Sequence, residues 1–460
     1  MRDRLLLFLL IGSYLAYTTI LVLIQPVGSY SQLLKGALLM AFIMVVMIPI
    51  GFPFRTTGLS GDAVIVFMLY GTFILYTLGL CFVSEVPTSS LTESFKYYLR
   101  IGFLLALVIW ITRSRRLRWA VEFPVQIGTI LAIQGCLFLA FLLAGANLQP
   151  SYVQTAQGTM RSTHIVYGYG LFGFGSGISV ATQNVFAWRL QSYFPEASKF
   201  ALFLIYPMFL SYGLYRLRKN KRFLICTTLM AIAFTATFSL AGFAAVGGAI
   251  LLLCYFRLRR RFPRELRWAL VLGGVVCLAF ALYAAFQLSE LYVPEDPTDT
   301  AFNRIPGFAT GGSLAVRARV DAELLRIFPQ YPFGLSLINP YDSKLLGFGD
   351  LGTPNAFMFV LSNAGIVGIG LFLMIFGLVY WRFMLPQLRK ECLGRYICVA
   401  AVGVWLHSIS YGTWLDLSFF YPVGLAMGLR EIEMRQRRDK RRFLVSPNGS
   451  SDKQKGSNAA

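Results

Sequence analysis

Acidic residues are scarce in this chain. Only 21 Asp and Glu stand against 42 Lys and Arg, and charged residues of all kinds make up 14% of the sequence. An ordinary soluble domain carries about 25%, so a conventional solvated surface is excluded. There are two histidines, His164 and His407, and seven cysteines. They form no Cys–His cluster, which excludes the usual zinc site. Cys81, Cys136, Cys226, Cys254, Cys277 and Cys398 fall in apolar stretches, and Cys392 lies beside Arg389 and Lys390. None falls in the two longest hydrophilic segments, roughly 146–198 and 290–355, so no disulfide framework is available there. Those segments also lack an Asp-x-Asp pair. Glu295, Asp296 and Asp299, set among Pro294 and Pro297, read as a solvated turn rather than a metal site. Neither an internal repeat nor a matching pair of interrupted helices in two halves is visible, and those are marks of many secondary transporters.

What is present in excess is apolar sequence, 56% of residues. Hydrophobic stretches of spanning length recur near 5–25, 34–53, 63–84, 98–112, 123–145, 199–215, 222–238, 240–256, 268–288, 356–381, 396–411 and 413–429. The expected fold class is therefore all-α: a single polytopic membrane bundle over 1–430 with about twelve transmembrane helices. The fourth stretch is short and the seventh and eighth nearly fuse at Ser239, so eleven or thirteen spans are the alternatives. The first is too long for a signal-peptide core. It is followed by Gln25-Pro26-Val27-Gly28 rather than a small-residue cleavage site, and so reads as an anchor.

The net charge of +21 invites a nucleic-acid partner, but its distribution excludes one. Clusters at Arg113–Arg118, Arg216–Arg222, Arg257–Arg267, Arg382–Arg395 and Arg430–Arg442 each follow an even-numbered span, and Arg2 and Arg4 precede the first. That is the positive-inside pattern. It puts both termini in the cytoplasm, with some attraction to anionic membrane lipids. Residues 431–460 form a basic and then a disordered cytoplasmic tail, polar and rich in Ser, Gly and Asn after Phe443. The same alternation puts 146–198 and 290–355 outside.

The first outward segment contains Gly168-Tyr169-Gly170-Leu171-Phe172-Gly173, a formal G-x-G-x-x-G. It follows no predicted strand, opens no βαβ unit and faces a compartment without free dinucleotides, so a dinucleotide site is excluded. Its glycines and aromatics suit a re-entrant or interfacial segment. Arg161, His164 and Arg189 are the polar groups of note, Arg189 within Trp188-Arg189-Leu190 ahead of Phe194-Pro195. In the second segment Val316, Val320, Leu324, Ile327 and Phe328 recur at helical spacing, with Arg317 and Arg319 flanking that face. This predicts an amphipathic helix along the membrane surface. Each arginine also has an acid four residues on, Asp321 and Glu323, and can be satisfied by a surface pair.

Arg317 precedes Pro332-Phe333-Gly334 by fifteen residues, and Thr353-Pro354-Asn355 opens a span that runs through Gly365 and Gly368. With Arg189 ahead of Phe194-Pro195, this order over roughly 185–370 resembles the O-antigen ligase and Wzy-type polysaccharide polymerase superfamily. Two positions depart from that pattern. Pro354 stands where ligases carry a histidine before the asparagine, and Ser239-Leu240 where Ser-Arg is usual. The first departure favours polymerase over ligase.

The resemblance implies a C-type glycosyltransferase-like bundle with outward loops over an amphipathic cavity. It also implies transfer of glycan from an undecaprenyl-pyrophosphate-linked oligosaccharide to the sugar hydroxyl of another lipid-linked repeat unit. Charge then develops on the leaving pyrophosphate, which a guanidinium can hold through two parallel hydrogen bonds. Arg189 and Arg317 are the catalytic candidates on that reading. His407, near the outer end of the eleventh span, is the candidate base, with Asp416 nearby. Arg100, close to Lys96, with Arg161, Arg319, Asn355 and Asp416 are the substrate-binding candidates. Arg100 can equally snorkel to the interface, and His407 can equally bond between packed helices. No metal or cofactor is expected. The expected partners are the lipid-linked oligosaccharides, a chain-length regulator and other polysaccharide assembly proteins. A ligase acting on lipid A-core is the first alternative, and a polysaccharide flippase the second.

Overall fold

The computed structural model describes residues 2–17, 31–47, 59–83, 87–113, 117–144, short strands between 150 and 192, 197–237, 239–259, 262–263, 265, 272–276, 324–326, 328–334, 356–410 and 417–445. Within them the chain is a bundle of apolar helices. In order they are α1 (Arg2–Tyr17), α2 (Ser31–Met47), α3 (Gly61–Val83), α4 (Pro87–Arg113), α5 (Leu117–Leu143), α6 (Ala197–Arg218), α7 (Lys221–Ala236) and α8 (Leu240–Leu258). Then come α9 (Ala356–Leu378), α10 (Leu393–Ser410) and α11 (Leu417–Val445). Six are long and apolar enough to cross a membrane. The protein is a multi-pass helical membrane protein. Of the expected ninth span, only 272–276 lies among the described residues, and it is helical.

The apolar windows underestimate three helices most, and one is α11, which runs on past 429 through the basic residues expected as tail to Val445. α4 begins at Pro87 rather than near 98, because Pro suits a helix start and its first turns, through Glu93, are polar. α9 continues past Leu378 through a π-helical segment, Val379–Met384, and a last turn, Leu385–Leu388. At the doubtful junction near Ser239 the helices separate. The Thr237 hydroxyl donates to Phe234 O (2.7 Å), and Ser239 caps α8 by accepting from Gly242 N (3.2 Å).

α6 is the centre of the bundle: 78% of its apolar window is buried, against 28% for α3 and α8 at the edge. It touches α5, α7 and α10, while α10 reaches α8 and α11. α11 lies on α4, which meets α2 and α3, and α3 carries α9. Small residues allow the closest approaches. On α11, Gly424 and Gly428 face Leu107 and Ile111 of α4, where an added Cβ would come within 2.7 and 2.6 Å of side-chain carbon.

Six short strands lie between α5 and α6: β1 (Pro150–Ser151), β2 (Gln154–Thr155), β3 (Gly158–Thr159), β4 (Val166–Tyr167), β5 (Gly177–Val180) and β6 (Trp188–Ser192). They pair antiparallel as β1–β4, β2–β3 and β5–β6. These strands are a β elaboration on a helical fold; the stretch 168–176, expected as a re-entrant or interfacial segment, lies outside the described residues. β-Branched, aromatic and hydroxyl side chains in β4 to β6 suit pleated pairing.

At the end of the bundle where the basic clusters gather, four of the described acids tie elements together. Glu122 (α5) pairs with Arg118 at 2.9 Å and with Arg218 of α6. Glu433 (α11) pairs with Lys390, with Arg430 at 2.7 Å and with Arg437 at 3.0 Å. Asp62 and Arg382 lie 3.7 Å apart. Lys390 sits in the bend after α9, where burial, followed by the Arg437 and Arg430 charges, depresses its ammonium below the usual lysine range. Glu431, 2% exposed, reaches from α11 to the start of α3. It accepts the Ser60 backbone N–H at 2.8 Å and the Ser60 hydroxyl, while Ser60 Oγ accepts from Ala63 N at 3.2 Å. Glu431→Ala removes a charged acceptor and strands two buried donors, so it is expected to cost about 2–3 kcal/mol. Thermal unfolding in detergent checks this: the midpoint falls for Glu431→Ala and recovers in part for Glu431→Gln. An Ala variant as stable as the parent removes this cap from the account of stability.

Candidate functional site

The end of the bundle opposite the basic clusters is built around an interruption in α9. Gly365 leaves helical geometry, with φ 61° and ψ −162°, a region open essentially to glycine alone. The break is filled by a turn from the second long hydrophilic segment. Gly334 N donates to Tyr331 O (2.9 Å), and Gly334 has φ 99°. Ile366 N, freed by the break, donates to Pro332 O at 2.9 Å. From α3, the Tyr76 hydroxyl donates to Phe333 O at 2.6 Å. The turn is thus clasped between α3 and α9. Gly365 lies nine residues into α9, so the turn reaches roughly 14 Å along the helix. Irregular backbone at such depth is tolerated only when protein or a water-filled cavity satisfies it, and here the two helices supply the partners.

The sequence motif Pro332-Phe333-Gly334 and the pair Gly365 and Gly368 are therefore parts of one contact. Ahead of the turn, 324–326 is helical and Phe328–Gln330 forms a 3-10 turn. The upstream part of the expected amphipathic helix, with Arg317 and Arg319, lies outside the described residues. Arg161, His164, the Gly168–Gly173 run, Asn355 and Asp416 also lie outside them.

Beside the clasp, α3 and α4 share a polar seam. Thr77 Oγ1 lies 3.1 Å from Tyr98 Oη, and Cys81 Sγ lies 3.1 Å from Ser94 Oγ. Tyr97, 2% exposed, stacks on Phe359 of α9 with ring centres 6.2 Å apart. Arg100 is half-buried one turn further along α4. Because α4 starts at Pro87, Arg100 is not at the helix end; it lies six residues inside the apolar part that begins at Ser94.

The second polar centre joins α6, α8 and α10. His407, in the last turn of α10, is 0% exposed. Its Nε2 lies 3.3 Å from Ser198 Oγ in the first turn of α6. Ser239 Oγ, at the cap of α8, donates to Ser198 Oγ at 3.4 Å. A fully enclosed imidazole has no surface for a substrate to touch, so the direct base role expected for His407 is not available in this arrangement. Ser198 is half-buried.

Arg189 belongs to β6, where it pairs with Ser179 of β5. The strand is fixed by its neighbour Leu190, 1% exposed, which packs where Gly135 of α5 leaves room. β6 touches α5, α6 and α7. Thus the strand carrying Arg189 runs into the helix carrying Ser198, and the described residues bring this strand and His407 to the same end of the bundle. Sequence reasoning did not identify Tyr76, Ser198 or the role of Ser239. Ser239 was visible as a departure from Ser-Arg, but nothing distinguished Ser198 from other hydroxyls.

Among the described residues no group of three or more His, Cys, Asp or Glu side chains is arranged to hold a metal ion. No protein-family model matches the sequence, and no curated protein sequence does.

Proposed function

We propose that this protein is a membrane glycosyltransferase. It polymerises polysaccharide by moving glycan from an undecaprenyl-pyrophosphate-linked oligosaccharide to a sugar hydroxyl of another lipid-linked repeat unit. In this reading the chain crosses a bacterial inner membrane twelve times with both termini cytoplasmic, and the clasped end faces out. Arg189 and Arg317 bind the pyrophosphate as charge develops on it, and Arg100, Arg161, Arg319, Asn355 and Asp416 line the substrate path. A chain-length regulator and other assembly proteins are the partners.

The observation that carries the reading is the clasp. Tyr76 and Gly365 seat the Pro332-Phe333-Gly334 turn, the element that follows Arg317 in the O-antigen polymerase and ligase pattern. A carrier uses broken helices to leave backbone groups open to its cargo. In α9 the chain's own Pro332 carbonyl takes the Ile366 N–H, which favours an enzyme over a flippase.

The test is purified protein with an undecaprenyl-pyrophosphate-linked repeat unit, a metal chelator and no lipid A-core. A ladder of lengthening lipid-linked products is expected. Transfer seen only after lipid A-core is added makes the protein a ligase despite Pro354. No transfer from any lipid-linked glycan in either condition overturns the enzyme reading in favour of a carrier.

A further inference from the structure

We infer that Ser198 is the relay through which His407 acts on the acceptor hydroxyl. The inference rests on the glycosyltransferase reading, and its geometry stands apart from it. His407 is 0% exposed and sits in the last turn of α10, so a proton can reach Nε2 from the outer end only through a neighbouring group. Ser198 Oγ, 3.3 Å from Nε2, is a neighbour placed to do this.

The hydroxyls around it have a direction. Gly242 N donates to Ser239 Oγ, and Ser239 Oγ donates to Ser198 Oγ. Ser198 Oγ thus accepts from Ser239 and keeps its own proton to give. The relay has that proton directed at Nε2, with the ring proton on Nδ1. The chain starts at the N-terminus of α8, whose positive dipole end favours this polarisation. At 3.3 and 3.4 Å the two hydroxyl contacts are long. Catalytic contacts in a resting site are often long and tighten in the substrate complex.

The proton balance is simple. The acceptor hydroxyl gives its proton to Ser198 Oγ as the Ser198 proton passes to His407 Nε2. The acceptor oxygen bonds to the donor's anomeric carbon, and the bond from that carbon to the pyrophosphate oxygen breaks with its electron pair leaving on the phosphate. The imidazolium returns its proton through Ser198 to the released pyrophosphate or to water.

The chain has only two histidines, so histidine-selective 15N labelling of the purified protein yields two rings, and His164→Gln assigns them. The wild-type His407 ring is expected to show Nδ1 protonated and Nε2 as a hydrogen-bond acceptor. Ser198→Ala is expected to shift the Nε2 signal and mix the tautomers, and Ser198→Thr to restore both. A protonated Nε2 in the parent, or ring signals unchanged in Ser198→Ala, overturns the hydrogen-bonded chain. In the ladder assay Ser198→Ala is expected to lower kcat about a hundredfold with little change in KM, and Ser198→Thr to recover most of the rate. Equal kcat in parent and Ser198→Ala overturns the relay. A parent that transfers no glycan, with or without lipid A-core, overturns the glycosyltransferase reading, and the relay's catalytic role with it, whatever the ring signals show.

Discussion

Gly365→Ala is expected to be the most damaging single-methyl addition among the described glycines, costing about 3 kcal/mol or more from backbone strain and a clash that cannot relax. The strain follows from φ 61° and ψ −162°, which no alanine adopts cheaply. The clash follows from what a Cβ would meet: the Phe333 carbonyl carbon, the Pro332 carbonyl oxygen and the Phe333 Cα, all backbone. Those atoms cannot move away without breaking the Tyr76–Phe333 and Ile366–Pro332 hydrogen bonds.

Gly334→Ala is expected to fail for the same reason from the other side. Its φ is 99°, and its Cβ would come within 2.6 Å of Gly365 N. Gly370 and Gly377 on the same helix are the internal control, because a Cβ at either meets nothing within 4 Å. There alanine is expected to be neutral or to stabilise by roughly 0.5–1 kcal/mol through helix propensity. Tyr76→Phe, which removes one hydrogen bond, is expected to fall between, near 1 kcal/mol. Thermal unfolding of the solubilised variants orders them. If Gly365→Ala unfolds with Gly370→Ala, the turn is not seated in the break.

Loss of Arg189 or Arg317 is expected to have the largest effect on chemistry. Under the polymerase reading Arg189→Ala and Arg317→Ala each remove a planar, permanent charge from the leaving pyrophosphate. Removing one such preorganised donor costs a factor of about 10²–10³ in turnover. Lysine at either position keeps the charge but loses the forked pair of donors, so it is expected to restore only part of the rate. The ladder assay measures this, with size-exclusion profiles showing that the variants stay folded. A surface arginine that merely pairs with Asp321 or solvates in head groups would give near-normal polymer, and that result takes the arginine out of the mechanism.

The helical membrane architecture was legible because long apolar stretches announce themselves one residue at a time. Helix ends were less so. The first turns of α4 are polar through Glu93, and the far end of α9 carries Trp381 and Arg382 in a π segment, so hydropathy alone cut both helices short. The strands between α5 and α6 are two to five residues long, with too little alternation to stand out from a glycine-rich segment. Gly365 was visible as a landmark but not as a break, because the reason for it, the 331–334 turn, lies about thirty residues away. His407 was visible as a rare titratable group near a helix end. Its enclosure was not, because that depends on α6 and α8, which meet α10 only in the folded bundle.

The bond between Glu431 and Ser60 spans 371 residues, and this has a consequence for how the protein is made. The start of α3 leaves the ribosome long before the side chain that completes its cap. Every helix from α3 to α10 must therefore enter the membrane while Ser60 awaits its acceptor. Contacts that close such distances form late, and multi-part chains are exposed to misassembly until they do. The last helix acts as the closing piece, so a chain stalled before α11 keeps the ends of its earlier helices available to chaperones and proteases.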